Sequence, residues 1–218
     1  MDRVFPTIFA TLSLSISVFA SPIKSCISAR ELIGTDDIDE SQVEYIEFNG
    51  TQYIALDDIH PNYYTYRYVA LEYQLTAIIR GYVQMLGTPS MGVTICSGSG
   101  FVQSQSIGIK ADLDRHLLTM DGVVSPYHCE YDGQNILNFT RSGNSAWDFF
   151  VGAVAQSSQV KMFCYMKFYG MTIATSSTAT PQNIFVPWRI GEEGCVKDLV
   201  TGKVYLPSMP VAFGPDVN

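Results

Sequence analysis

The chain has 218 residues, of which 47% are hydrophobic and 16% are charged. This balance favours a packed globular core and excludes a largely disordered chain. The formal net charge is −8 and the 13 basic residues are scattered singly. Because phosphate binding needs clustered Lys and Arg, a nucleic acid or an anionic membrane surface is not expected as a partner.

Residues 1–20 are predicted to be a secretory signal peptide. The run from Phe5 to Ala20 is apolar or small and ends in Val18-Phe19-Ala20, so cleavage is expected after Ala20. The run is short and diluted by hydroxyl residues, which disfavours a membrane anchor, and no later segment approaches ~18 apolar residues. The protein is therefore expected to be secreted and extracellular, with no membrane span after cleavage.

Residues 21–42 are predicted to form a polar, acidic arm, and residues 43–218 a single domain. Asp36, Asp37, Asp39 and Glu40 lie close together in the arm, but their spacing lacks the glycine and the distal glutamate of a calcium-binding EF-hand loop. A solvated arm is the preferred interpretation. No composition break or repeat divides the rest of the chain.

The first element of the domain is predicted to be a β-hairpin over residues 43–56. Two short alternating segments, Glu44–Phe48 and Gln52–Leu56, flank Asn49-Gly50, a dipeptide that favours a tight turn. A glycan on Asn49 would project from the tip of this hairpin.

The next segment, residues 65–86, carries the clearest helical pattern. Apolar residues recur there at steps of three and four, as on one face of an α-helix: Tyr64, Tyr68, Leu71, Leu75, Ile78, Ile79, Tyr82 and Leu86. Gly87 and Pro89 are typical signals for the end of a helix. We expect this helix to be central, with a mostly antiparallel sheet packed around it.

Two shorter helices and several strands are predicted after it. Asp112 would cap a helix over 113–120, and Asn144 one over 147–155. The strands are expected at 92–96, 101–109, 123–131, 136–140, 160–175 (bent at Gly170), 184–190 and 196–206, with turns at Asp132-Gly133 and Thr201-Gly202. The predicted fold class is therefore α+β.

The five cysteines are expected to pair in part, because an oxidising compartment favours disulfides. We expect the bridges Cys96–Cys129 and Cys26–Cys195. Cys164 is the expected free thiol, since it would share a strand face with apolar residues; an intermolecular bridge or a reactive thiol is the alternative. No CxxC motif is present, and neither a metal nor another cofactor is predicted.

Two asparagines, Asn49 and Asn138, lie in N-glycosylation sequons, which fit an extracellular protein.

The candidate catalytic residues are the three histidines, His60, His116 and His128, each of which has acidic residues nearby in sequence. A hydrolase using general acid–base catalysis would need two of them, or one and a carboxylate, in one cleft. Structural or surface histidines are the preferred interpretation. The Ser97–Gly100 run lacks the pattern and context of a nucleophile elbow.

The candidate binding residues are the tyrosines crowded before and within the predicted central helix, namely Tyr63, Tyr64 and Tyr66. Exposed tyrosines can stack on sugars or anchor a protein partner. Packing in the core is the alternative, and Tyr63 is the best candidate for exposure.

Taken together, these features predict a secreted, disulfide-stabilised glycoprotein that binds an extracellular protein or glycan without catalysing a reaction. Its general build is similar to that of small secreted effector or toxin-like proteins. The alternative is a secreted, nuclease-like hydrolase that uses the histidines, and a structural matrix component lacks the expected repeats.

Overall fold

A computed structural model of the protein describes residues 39–57, 59, 68–78, 82–88, 91–96, 100–102, 105–106, 111–121, 127–139, 149–156, 159–161 and 163–217. The regular structure in these residues is all β, and they contain no helix. No described helix is therefore long and apolar enough to cross a membrane. Asp39–Asn218 form one compact unit.

The strands of the first half of this unit are β1 (Glu40–Gln42), β2 (Ile46–Asn49), β3 (Ile54–Leu56), β4 (Tyr68–Leu75), β5 (Tyr82–Thr88), β6 (Met91–Cys96), β7 (Gly100–Val102), β8 (Gln105–Ser106) and β9 (Arg115–Asp121). Those of the second half are β10 (Tyr127–Tyr131), β11 (Gln134–Phe139), β12 (Phe149–Val151), β13 (Val154–Gln156), β14 (Gln159–Lys161), β15 (Tyr165–Ala174), β16 (Asn183–Ile190), β17 (Glu193–Asp198), β18 (Val204–Tyr205) and β19 (Ala212–Phe213).

The strands form a large antiparallel sheet, a smaller antiparallel sheet and a separate two-stranded pair. The large sheet has the order β11-β10-β9-β4-β15-β16-β17-β18, with β1 on β16, β2 on β15 and β19 on β2. The smaller sheet has the order β3-β12-β5-β6-β7-β8, and β13 pairs with β14. The predicted mostly antiparallel sheet is confirmed.

The predicted central helix over residues 65–86 is wrong, because its described residues form β4, an irregular segment at 76–78, and β5. In β4 the side chains of Val69, Leu71, Tyr73 and Leu75 are buried on one face, which is the two-residue period of a strand, and Ala70 is buried on the other face. This interior strand lies between β9 and β15. It is apolar enough on both faces to match helical spacing by chance.

The two shorter predicted helices are also wrong. The first is β9, and the carboxylate of Asp112 accepts a hydrogen bond from the Asp114 backbone N–H (2.9 Å) in a turn, where a helix cap was predicted. The second is replaced by β12 and β13, which are separated by Gly152 at φ 85°. All three residues of β12 are buried between β3 and β5, so they carry no polar alternation. The fold class is corrected from α+β to all-β for the described residues.

The predicted hairpin over residues 43–56 is correct in its two strands and its turn but wrong in its pairing. Gly50 has φ 84°, as the Asn49-Gly50 turn requires. However, β2 pairs with β15 and β19, whereas β3 pairs with β12. The turn therefore carries the chain from the large sheet to the smaller one. The hairpin turns at Asp132-Gly133 and Thr201-Gly202 are confirmed by pairing of the strands on either side.

The hydrophobic core takes side chains from both sheets. Its largest fully buried side chains include Tyr73, Phe48, Phe168 and Phe185 of the large sheet and Ile54 and Leu56 of the smaller one. The chain passes close to this core at Gly152, where a Cβ atom would lie 2.9 Å from the Phe48 ring.

The predicted disulfides are not formed in the structure. Cys129, Cys164 and Cys195 are all free and buried. Cys129 belongs to the large sheet, whereas its predicted partner Cys96 belongs to β6 of the smaller sheet. Cys26, the predicted partner of Cys195, lies outside the described residues. Burial raises the pKa of the Cys129 and Cys195 thiols to about 12, and it also raises that of Cys164.

Arg189 of β16 joins the two ends of the described unit. Its guanidinium contacts both oxygens of Asp39 (2.7 and 3.0 Å) and both oxygens of Asp216 (2.7 and 3.0 Å). Hydrogen bonds from Arg189 and Ser41 lower the pKa of Asp216 to about 2.

The last residues of the predicted acidic arm, Glu40–Gln42, pair with β16 as β1, so they are part of the sheet. The rest of that arm before Asp39, and residues 1–20, lie outside the described residues.

Candidate functional site

The candidate site lies on the face of the large sheet that points away from the core, where β9, β4, β15 and β2 run side by side. One cross-strand row on this outer face consists of Arg115, Gln74, Lys167 and Glu47, since each is the register partner of the next. All four side chains of this row are polar. They face outward because side chains alternate along a strand, and the neighbouring residues of the same strands, such as Tyr73, are buried on the opposite face.

A second row contains Glu72 and two tyrosines. The pairing of β15 with β4 shifts its register between Phe168 and Gly170, so that Tyr169 is an extra residue opposite Glu72. Gly170 has φ 156°, within the range that favours glycine. The extra residue of this bulge returns Met171 to the core face. Tyr169 continues the alternation of Lys167 and Phe168 and lies on the outer face, where its hydroxyl donates a hydrogen bond to Gln74 Oε1 (2.8 Å).

Tyr45, which precedes β2, completes this row beside Tyr169. The two ring centroids are 5.8 Å apart in an edge-to-face arrangement. The Arg115 guanidinium carbon lies 3.7 Å from the centroid of the Tyr169 ring, and Lys167 Nζ lies 4.0 Å from that of Tyr45. Both rings are half-buried. We call Tyr45, Glu72, Gln74, Arg115, Lys167 and Tyr169 the outer-face cluster.

Ion pairs and hydrogen bonds fix the polar members of the outer-face cluster. Arg115 Nε contacts Glu72 Oε1 at 2.7 Å, and Arg115 NH1 lies 3.8 Å from Glu44 Oε1. Gln74 Nε2 donates to the Leu113 carbonyl oxygen (2.8 Å). Because its oxygen accepts from Tyr169, the orientation of the Gln74 amide is set at both ends.

The charge on Lys167 is stabilised by its surroundings. Burial lowers the pKa of this ammonium, but the neighbouring Tyr45 hydroxyl, Tyr169 and Glu47 outweigh that effect and raise it. Burial also raises the pKa of the Tyr169 hydroxyl, although Arg115 and Lys167 act in the opposite direction. The Tyr169 hydroxyl therefore stays neutral at neutral pH and lies between the two cations of the cluster.

His116, a candidate catalytic residue, is buried on the core face of β9. Its Nε2 lies 2.6 Å from Asp112 Oδ1 and its Nδ1 lies 2.9 Å from Asp132 Oδ2, and its ring stacks on Tyr131 with centroids 4.5 Å apart. Burial lowers the pKa of His116, but the hydrogen bonds to the two carboxylates outweigh this and raise it. Since both ring nitrogens are engaged, this histidine connects a loop to a turn and has neither nitrogen free for proton transfer to a substrate.

His128 lies on the opposite face from His116. It is the register partner of Asp121, and its Nδ1 is 3.2 Å from Asn135 Nδ2. Along β9, His116 is five positions from Asp121, which places the two imidazoles about 16 Å apart along the strands. The structure therefore does not bring these two candidates together, and His60 lies outside the described residues.

The predicted binding tyrosines, Tyr63, Tyr64 and Tyr66, also lie outside the described residues. Sequence reasoning missed Tyr45 and Tyr169. The sequence signal that could have identified Tyr169 is the alternation of Lys167 and Tyr169 with the apolar residues Met166 and Phe168, which are buried in β15. The glycine that follows Tyr169 is a second signal.

The two glycosylation candidates lie at strand positions. Asn49 is exposed at the end of β2, and its Oδ1 accepts a hydrogen bond from the Thr51 hydroxyl (2.7 Å). Asn138 belongs to β11. In the part of the chain that the structure describes, no group of His, Cys, Asp or Glu could hold a metal ion.

Comparison with known proteins gives a fold neighbour but no family. No protein-family model and no curated protein matches the sequence. Among solved structures, the chain is similar to "a putative carbohydrate binding protein from Bacteroides ovatus ATCC 8483", with a TM-score of 0.54 and 8% sequence identity. The similarity covers 81% of this chain but only 61% of that chain. At this identity it shows a shared β fold.

Proposed function

We propose that this protein binds a glycan through the outer-face cluster and acts by binding, without catalysing a reaction. The observation that carries the proposal is the pair of tyrosine rings, Tyr45 and Tyr169, set among ion-paired and hydrogen-bonded side chains on one sheet face. Aromatic rings combine an apolar surface with a polar tip, which suits the C–H and hydroxyl groups of a sugar. Guanidinium, amide and carboxylate groups supply the directional hydrogen bonds.

The size of the cluster supports an oligosaccharide as the ligand. It extends across four neighbouring strands, and three inter-strand spacings amount to about 14 Å. A surface of this length is wider than one sugar ring. The solved structure with a similar fold carries the description "putative carbohydrate binding protein", and glycan binding by this chain is compatible with that description.

No described arrangement favours the hydrolase alternative. It needed two histidines, or a histidine and a carboxylate, facing a common cleft. Of the described histidines, His116 is held between two aspartates in the core and His128 lies on the other face.

The test is a glycan array followed by calorimetric titration of the best ligand. Replacing Tyr169 by alanine removes one ring and the hydroxyl that fixes Gln74, and we expect affinity to fall about tenfold or more, since 1.4 kcal/mol is a factor of ten. Arg115→Gln should weaken binding as well. The matched control is Lys203→Gln, which also removes a cation placed over a tyrosine ring (4.6 Å from the Tyr205 centroid) but outside the cluster. Unchanged binding in both cluster variants would refute the site.

We further propose that the protein is secreted and carries N-glycans. The apolar run of residues 1–20 and the two sequons support this, and the exposed Asn49 offers an accessible acceptor. Expression in a eukaryotic secretory host should release the protein into the medium with a mass that falls on enzymatic deglycosylation. Asn49→Gln should remove part of that mass; retention of the unprocessed chain inside the cell would contradict the proposal.

A further inference from the structure

Resting on the proposed function, we infer that the outer-face cluster selects uncharged saccharides and rejects acidic ones such as uronic-acid oligomers. The charge arrangement around the two tyrosines carries this inference, since Arg115 is ion-paired with carboxylates of the protein itself and Lys167 lies over the Tyr45 ring with Glu47 as its register partner.

Arg115 is the first of these cations. Its Nε forms an ion pair with Glu72 at 2.7 Å, its NH1 lies 3.8 Å from Glu44, and its plane lies over the Tyr169 ring. A carboxylate on a ligand would have to displace Glu72 and leave that half-buried side chain, which is 19% exposed, without its partner. Losing the partner of a partly buried charge is costly.

Lys167 is the second cation and is similarly engaged. Its Nζ lies 4.0 Å from the Tyr45 ring centroid, and its register partner across the β15–β2 pairing is Glu47. Both positive charges of the outer-face cluster thus have protein partners.

The balance of charge in this region is negative. Three carboxylates, Glu44, Glu47 and Glu72, surround two cations, Arg115 and Lys167, which gives a local sum of −1 on a chain whose total is −8. Neighbouring groups in these rows lie about one strand spacing apart, roughly 5 Å, which is less than the Debye length of about 8 Å at physiological salt, so a ligand at the tyrosines experiences the charges on either side of it. The excess negative charge repels an acidic ligand, and such repulsion gives specificity by weakening the binding of the wrong ligand.

A neutral sugar can use the same groups without breaking an ion pair. Carboxylate oxygens accept hydrogen bonds, and Glu44 is the most accessible of them, with a side chain 47% exposed. Sugar hydroxyls can donate to Glu44 and Glu72 while the free N–H groups of Arg115 donate to sugar oxygens. The tyrosines provide the apolar contact in either case, so charge alone distinguishes the two ligand classes.

The experiment titrates the purified protein with length-matched pairs: glucose, galactose and mannose oligomers against glucuronic and galacturonic acid oligomers. At low salt we expect the acidic member of each pair to bind at least about tenfold more weakly, and added NaCl should narrow the difference because it screens repulsion. Affinity for the neutral member should change less than about twofold with salt.

Charge-reversing variants test the stated cause. Glu44→Gln combined with Glu47→Gln changes the local sum from −1 to +1, and the acidic oligomers should then gain about tenfold in affinity while the neutral oligomers stay within about threefold. The control is Glu192→Gln, an exposed position in the turn between β16 and β17 that changes the total charge but not the cluster. Thermal unfolding of each variant establishes that the fold is retained.

The outcomes separate the two proposals. If the protein binds acidic oligomers more tightly than their neutral counterparts, the inference is overturned while glycan binding stands. If the double variant gains no affinity for acidic oligomers, the charge argument is likewise wrong. If no saccharide of either class binds, the proposed function fails and the inference fails with it.

Discussion

The connection made by His116 gives the sharpest prediction for stability. Replacing this residue by phenylalanine keeps a flat ring against Tyr131 but removes the proton donors that face Asp112 and Asp132. A hydrogen bond to a charged group contributes about 1.5–3 kcal/mol. The side chains of Asp112 and Asp132 are 49% and 30% exposed, so water replaces part of each lost contact. We therefore expect a loss of about 2 kcal/mol.

The pH dependence of the free energy of unfolding tests whether the stabilisation comes from the charged hydrogen bonds of His116. The pKa of His116 is raised above its ordinary value of 6.5, so its stabilisation is complete below pH 6.5 and is lost as the pH rises through the folded-state pKa. Although burial acts in the opposite direction, hydrogen bonds from His116 and the Asp114 backbone lower the pKa of Asp112 below 3.8, and its contribution is lost in acid. Wild type and variant should therefore differ most between about pH 4 and 6.5.

The assay is urea unfolding of both proteins at several pH values from 4 to 9. A loss of about 2 kcal/mol corresponds to a fall in Tm of about 4–8 °C for a unit of this size. Asp112→Ala removes one of the two contacts and should give roughly half the effect. The ionisable groups that face the imidazole are Asp112 and Asp132 with the phenols of Tyr73 and Tyr131. The phenols stay neutral in this pH range because burial raises their pKa.

A difference in unfolding free energy between wild type and variant that is constant with pH, or that grows towards pH 9, would refute the reasoning.

Three further predictions concern other parts of the fold. Gly50→Ala keeps the Asn49 sequon but places a Cβ against the Tyr165 ring at φ 84°, and should cost about 2–4 kcal/mol in unfolding free energy measured with urea. Asp198→Asn turns a buried carboxylate that accepts four hydrogen bonds into a group that also donates, which should cost about 2–3 kcal/mol by the same measurement. Arg189→Lys cannot contact two carboxylates in the same bidentate way; NMR titration should show the pKa of Asp216 rising from about 2, and stability should be lost at higher pH during acidification.

The sequence predicted much of the β structure but misread its most apolar segments. The strand β15, whose burial alternates up to Gly170, and the turns with glycine after Asp132 or Thr201 were found because their signals are local. The segment of β4 was taken for a helix because its apolar residues lie on both faces of the strand, with Tyr68 on the face opposite Leu71 and Leu75. A strand with apolar residues on both faces loses the period that distinguishes it from a helix.

The disulfides show a second limit of local reasoning. Cysteines in a predicted extracellular protein suggest bridges, but a bridge needs Cα atoms within about 7 Å, which depends on which sheet each strand joins. Cys129 and Cys96 entered different sheets. The turn at Gly50 likewise separates β2 from β3, although its sequence is typical of a hairpin.

The candidate site could be reached only through strand pairing. Tyr45, Glu72, Arg115 and Tyr169 are separated by tens of residues in the chain, and each alone is an ordinary polar or half-buried position of a strand. The register of three strand pairs brings them into adjacent rows. Because a shift of one residue in any of these pairs would move its side chains to the core face, the same register that fixes the core also creates the outer-face cluster. The glycan-binding proposal therefore depends on the pairing of the large sheet, and a variant that shifts the register of β15 should lose ligand binding together with core packing.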